Sequence, residues 1–278
     1  MCRFVSYIGN KPIIIKDLIE APSNSLIKQS RHAKQGQHGI NADGFGLAWY
    51  NKEIEDNPGI FKSIQPAWND KNLIHLSSKI TSNCFLGHVR ASTVGDVEIN
   101  NCHPFFHKQY CFVHNGTIRF FEKVRRDLMN ELNDTYYGQI KSQTDSELLF
   151  FLIMQFLDLD PKHNLENSII SAFKQVLELQ KNHDLDHFSR LNIVITDGSQ
   201  MIATRFVSKN KEPLSLYYTT HGFFNSGTSK HLSYEQAEYV IIASEPLNDF
   251  DHEWNEISPN KYLTVKSDLS YQVQSFDY

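Results

Sequence analysis

Apolar and polar positions mark out short strands toward both ends of the chain and a run of helices between them. Cys2 to Ile8 is rich in β-branched and aromatic residues and stops at Gly9-Asn10, which predicts a strand with Cys2 at its end. Ser25 is placed to cap a short helix through about Ala33, and a loop containing Gly36 and Gly39 leads to a strand over Gly44 to Tyr50. Further strands are expected near Gly59 to Ile64, Cys84 to Arg90 and Tyr110 to His114.

Past Gly116 the period lengthens. Ile118, Phe121, Val124, Leu128 and Leu132 recur at spacings of three and four, the pattern of a helix with one apolar face. A second helix over Ser146 to Leu157 is apolar on nearly every side, so it is expected to be covered all round. A third, Leu165 to Leu179, carries a cleaner stripe. Strands resume at Leu191 to Thr196, Met201 to Phe206, Leu214 to Thr219, Tyr239 to Ala243 and Tyr262 to Val265. Strands, consecutive helices and strands again argue for α+β layers rather than a regular βαβ alternation. The polar stretch Asn182 to Ser189 reads as a loop within one domain spanning residues 1–278.

Composition narrows the function classes. With 40% hydrophobic and 21% charged residues, a chain of 278 residues buries a substantial core. The net charge of -5 comes from interspersed acids and bases, which argues against a nucleic-acid partner. The longest apolar run, Leu148 to Met154, falls far short of the roughly 18 residues that suggest a membrane span. Ser6, Gly9 and Asn10 interrupt the first apolar stretch before a signal-peptide core can form, so a cytoplasmic location is expected. There, Cys2, Cys84, Cys102 and Cys111 read as reduced thiols.

Four local features offer chemistry, each beside a plainer reading. Removal of Met1, expected because the next side chain is small, places the Cys2 thiol beside its own α-amine, which titrates at about 7.7 to 8.0 and can take the thiol proton. Arg90 is suited to grip a carboxylate through two parallel hydrogen bonds, although a surface salt bridge is the more ordinary use of such a residue. Asn115-Gly116 is either a tight hairpin turn or an oxyanion hole built from a side-chain amide and a glycine N–H. Thr144-Asp-Ser-Glu147 looks first like a helix cap, although Asp145 can hold a substrate ammonium from there.

Taken in order, Cys2, Ala42-Asp-Gly-Phe-Gly46, His88-Val-Arg90 with Thr93, His114-Asn-Gly116 and Asp145 resemble the glutaminase domain of class II glutamine amidotransferases. Asn101-Cys-His-Pro-Phe105, Leu191 to Gly198 and Ala243-Ser-Glu-Pro-Leu247 extend the likeness over nearly the whole chain. They bring it near the stand-alone subfamily of the ergothioneine-pathway γ-glutamyl hydrolase and the amidotransferase-like subunit of the glutathione-degrading complex. The resemblance implies the four-layered αββα sandwich of N-terminal-nucleophile hydrolases and cleavage of the γ-amide of glutamine or a γ-glutamyl compound through a Cys2 thioester. It implies Cys2 as nucleophile, its α-amine as base, and Asn115 and Gly116 as oxyanion hole. Arg90 and Thr93 then hold the glutamyl carboxylate and Asp145 the ammonium. The position after Thr93, a histidine in glucosamine-phosphate synthase, is Val94 here. No cofactor is implied. A separate synthase, fed with ammonia, or a peptidase subunit is a possible partner.

Two rival readings remain at this level. One is a catalytically silent binding protein with the same fold. The other is a metal protein, since Cys84, His88, Cys102, His103, His107, Cys111 and His114 crowd one quarter of the chain. Cys111 and His114 lie three apart on a strand, which sends them to opposite faces and argues against a metal.

Overall fold

The computed structural model describes residues 1–35, 39–183, 188–209, 211–221, 223 and 238–276. Gly36 and part of the Asn182 to Ser189 stretch lie outside the described residues. In chain order the strands are β1 (Arg3–Ile14), β2 (Phe45–Asn51), β3 (Glu55–Ser63), β4 (Thr81–Val89), β5 (Phe105–His107), β6 (Tyr110–Thr117) and β7 (Arg190–Thr196). They continue with β8 (Met201–Arg205), β9 (Tyr217–Thr219), β10 (Tyr239–Ala243), β11 (Asn255–Glu256), β12 (Lys261–Val265) and β13 (Tyr271–Ser275). The helices are α1 (Lys16–Ile19), α2 (Leu26–Arg31), α3 (Lys71–Ser77), α4 (Phe121–Asn130), α5 (Asp134–Tyr137), α6 (Asp145–Leu159) and α7 (Leu165–Asn182).

Among the described residues the strands form two sheets, ordered β11-β9-β10-β1-β4-β2-β3 and β13-β12-β8-β7-β6-β5. Every pairing is antiparallel. Side-chain alternation along each strand gives each sheet two apolar faces, and three cores result. Phe4, Ile8 and Leu86 of the first sheet meet Cys111, Val113 and Val194 of the second in a core between the sheets. Val5, Tyr7 and Phe85 pack outward against Leu18, Leu26 and Leu73 of α1, α2 and α3. Phe112, Ile193 and Ile195 pack outward against α4, α6 and α7. The layers are therefore helix, sheet, sheet, helix, and α6, buried along most of its length, is the helix expected to be covered all round.

Several elements depart from the sequence expectation. β1 continues past Gly9-Asn10 to Ile14, and the register against β4 slips between Ile8 and Ile13. Gly9-Asn10 is thus a bulged stretch within a strand rather than its end. The strand expected over Leu214 to Thr219 is reduced to Tyr217–Thr219. The helix at Ser25 forms as expected, with the Ser25 side chain accepting from Lys28 N.

Candidate active site

Cys2 precedes β1, two positions before Phe4, whose side chain lies between the sheets. The period of two turns the Cys2 side chain toward the same layer. Its Sγ packs on the backbone of Ala91, accepting from Ala91 N at 3.4 Å and lying 3.4 Å from Ala91 O. Burial raises the thiol pKa, and the lowering effects of the Ala91 contact, the N-terminal ammonium and Arg90 do not offset it. The thiol is therefore protonated near neutral pH and needs a base to become a nucleophile.

Asn115 and Gly116 are not a turn. β6 carries on through both to Thr117, with Asn115 opposite Asn192 and Gly116 opposite Leu191 of β7. The φ of Gly116 is not positive. Its missing side chain answers a close approach instead: a Cβ there would stand 2.0 Å from Arg190 O and 2.4 Å from His114 Nε2. Leu191 N donates to Phe206 O, away from β6, so Gly116 and Leu191 are a non-hydrogen-bonded pair. The Gly116 amide is consequently turned away from β7, toward the side that β5, which reaches along β6 only as far as the Phe105–Phe112 pair, leaves uncovered.

The Asn115 side chain alternates with outward-facing His114 and points between the sheets, where it is 2% exposed. Its Nδ2 lies 3.5 Å from Ser244 Oγ, and Ser244 Oγ accepts from Phe4 N at 3.0 Å. Ser244 thus joins the strand of Cys2 to the strand of Asn115. Asn115 Oδ1 is buried with no partner among the described residues.

Arg90 is buried, so the surface salt bridge does not exist. Nor does its guanidinium stand free. Nη1 donates to Asp96 O at 3.0 Å, and Nη2 to Val94 O at 2.9 Å, Gly95 O at 3.2 Å and Ser92 Oγ at 3.1 Å. The loop from Ala91 to Asp96 is wound around it. Asp43 fastens the start of that loop, its Oδ2 accepting from Ser92 N at 2.7 Å. Thr93 is exposed on the same loop, its hydroxyl 3.5 Å from that of Thr117.

Asp145 opens α6 and is buried. Thr144 caps the helix by accepting from Glu147 N, while Glu147 turns back to accept from Lys141 N and Ser142 N. With the cap supplied by Thr144, the Asp145 side chain reaches elsewhere. Its Oδ2 accepts from Ile118 N at 2.8 Å, which sets the carboxylate at the end of β6 just beyond Gly116.

The crowded histidines and cysteines divide between faces. Cys111 lies between the sheets, His114 Nδ1 pairs with Ser146 Oγ on the helix side at 2.9 Å, and the His88 and His103 rings pack at a tilt with centroids 4.1 Å apart. Burial lowers the pKa of His88 to about 3 and that of His103 well below the usual range, so both are neutral. Among the described residues no group of three or more His, Cys, Asp or Glu side chains comes together in a way that could hold a metal. No helix among them is long and apolar enough to cross a membrane.

The sequence assigns no role to Arg3, Ser244 or Glu245. In the structure Arg3 Nε donates to Glu245 Oε1 at 2.7 Å, and the two side chains are 3% and 0% exposed. A polar Ser-Glu pair directly after an apolar strand is the one local signal, but the partner of Glu245 lies 242 residues away.

Comparison with known proteins identifies the family. Residues 21–275 match the family model for glutamine amidotransferases class-II. The chain is 35% identical to the probable glutamine amidotransferase DUG3 of Saccharomyces cerevisiae, over 96% of this chain and 82% of that protein. It is 28% identical to the gamma-glutamyl-hercynylcysteine sulfoxide hydrolase of Mycolicibacterium smegmatis, over 98% and 99% of the two chains. The structure of a glutamine aminotransferase class-II domain protein from Silicibacter pomeroyi superposes over the whole of both chains with a TM-score of 0.71 at 26% identity. The glutamine phosphoribosylpyrophosphate amidotransferase of B. subtilis shares the fold, with a TM-score of 0.62 at 17% identity over 99% of this chain and 49% of that one. The αββα sandwich is that of the N-terminal-nucleophile hydrolases, and the chain belongs to the class II glutamine amidotransferases.

Proposed function

We propose that this enzyme cleaves the γ-amide of glutamine or of a γ-glutamyl compound, with Cys2 as nucleophile once Met1 has been removed. The observation that carries the reading is the convergence, between the two sheets, of the Cys2 strand and the Asn115 amide through Ser244. The free α-amine takes the thiol proton, and the thiolate attacks the γ-carbonyl carbon. Negative charge gathers on the carbonyl oxygen, and Asn115 Nδ2 and the Gly116 N–H, which is turned away from β7, are assigned as its donors. Collapse of this intermediate breaks the C–N bond, and the α-ammonium returns its proton to the departing amine. Water then hydrolyses the thioester and releases the glutamyl acid.

Recognition of the glutamyl end is assigned to Thr93, Arg90 and Asp145. Arg90 contributes its charge and the shape of the loop that presents Thr93, while Asp145 faces the α-ammonium beside β6. A turnover screen of glutamine, glutathione and other γ-glutamyl compounds tests the reading, with Cys2→Ala as control. A mass increment of one glutamyl group on Cys2 during turnover is expected; full activity of Cys2→Ala would overturn it.

A further inference from the structure

Arg3 follows the nucleophile directly, and every nitrogen of its guanidinium has a defined partner. Nε donates to Glu245, Nη1 donates to Cys2 O at 2.8 Å and Met1 O at 3.1 Å, and Nη2 donates to Gln35 O. Glu245 is equally fixed. Its Oε1 also accepts from Gln35 N at 3.0 Å and its Oε2 from Lys34 N at 2.8 Å. Met1 O belongs to the peptide group that also contains the Cys2 nitrogen. A cation that reaches both Met1 O and Cys2 O therefore stands beside the atom that becomes the α-amine when Met1 is removed.

From this placement we propose that Arg3, held by Glu245, is a positioning residue that orients the Cys2 α-amine and keeps it in its neutral, proton-accepting form. The proposal rests on the α-amine serving as the base. Removal of Met1 deletes the Met1 carbonyl and leaves one N–H of Nη1 facing the new amine. A neutral amine can accept that hydrogen bond, whereas an ammonium would set two cations against each other. Glu245 offsets part of the guanidinium charge and so limits the effect. The other charged or titratable groups facing Cys2 are Arg90, which acts in the same direction as Arg3, and Asp145, which acts in the opposite one. Cys102, whose thiol is raised by burial, contributes no charge near neutral pH.

The test is the acid limb of the kcat/KM–pH profile in Met1-free protein, where activity rises as the base loses its proton. Arg3→Met removes the cation and should move the limb to higher pH. Glu245→Gln removes the offsetting anion and should move it to lower pH. Shifts of opposite sign are expected, and a purely structural pair would lower kcat or stability in both variants with the limb fixed. Limbs that stay put, or move together, overturn the proposal while leaving Cys2 catalysis intact. Equal turnover by Met1-retaining protein would remove the base itself and take both readings down. A second measurement requires no change at either residue: NMR titration of the α-amine in Met1-free Cys2→Ser protein. A value below about 7.7, the lower end of the free α-amine range, is expected, and a value at or above it overturns the proposal.

Discussion

Arg90 Nη2 donates to the carbonyl of Val94 at 2.9 Å, so the guanidinium assigned to substrate is also the core of the loop that surrounds it. Lysine keeps the charge but has no planar fork with which to reach Ser92, Val94, Gly95 and Asp96 together. Arg90→Lys should therefore reduce kcat/KM by about ten- to a hundredfold, about 1.4 kcal/mol per factor of ten, and also lower the melting temperature. Steady-state kinetics beside a thermal melt check this. Loss of activity with no change in melting temperature would point to substrate contact alone.

Asn115→Ala should lower kcat by a hundredfold or more, since loss of one oxyanion donor costs about 2.7 to 4 kcal/mol, while KM moves much less. Asn115 sits in a regular strand, so there is no left-handed backbone to relieve and the fold should survive. Single-turnover acylation of Cys2, compared with the melting temperature, separates the two effects. Preserved acylation would remove Asn115 from the oxyanion hole.

Gly116→Ala forces a methyl group into the Arg190 carbonyl and the His114 ring. The nearer obstacle is backbone and cannot rotate away, so β6 must shift from β7. Overpacking of this kind costs about 1–3 kcal/mol or more, and the shift displaces Asn115 with it. Chemical denaturation should show the loss of stability, and activity should fall even in the folded fraction.

The buried neutral histidines make stability depend on pH. The folded pKa of His88 is depressed to about 3, below the ordinary 6.5, so the unfolded chain binds the proton more readily. Stability from this group is complete above about 6.5 and is lost as pH falls from there toward about 3, at up to about 1.4 kcal/mol per pH unit. His103 acts in the same direction. Denaturation midpoints should fall steadily from pH 7 to pH 5, and a flat profile would contradict the burial of these rings.

Activity should require loss of Met1. Mass spectrometry of the N-terminus, paired with glutaminase assays of processed and Met1-retaining protein, tests this directly. Equal rates would show that the base lies elsewhere.

How much of the fold and site is legible in the sequence follows from the range of each interaction. The strand at Cys2 and the apolar α6 are written in local periodicity, and the Thr144 cap in a local motif. Asn115-Gly116 is ambiguous in sequence because a hairpin turn and an internal strand position differ only in what lies opposite. Here that is Asn192 and Leu191, and no window around residue 115 contains them. Arg3 and Glu245 are a still longer case, since a charged residue in a strand sequence carries no mark of its distant partner. The place of Arg90 at a strand end is local information, but the winding of the next six residues around it depends on carbonyl directions that residue types do not encode.

Cys2 and Asn115, the proposed nucleophile and oxyanion donor, belong to different sheets, joined through the interlayer core and one serine hydroxyl. Turnover is therefore a gauge of how well the two sheets remain in register with each other, independent of how well each is formed. Heating, denaturant or a cavity at Val113 or Phe4 that lets the layers slide should silence the enzyme while its far-ultraviolet dichroism is still native. Inactivation would then precede melting.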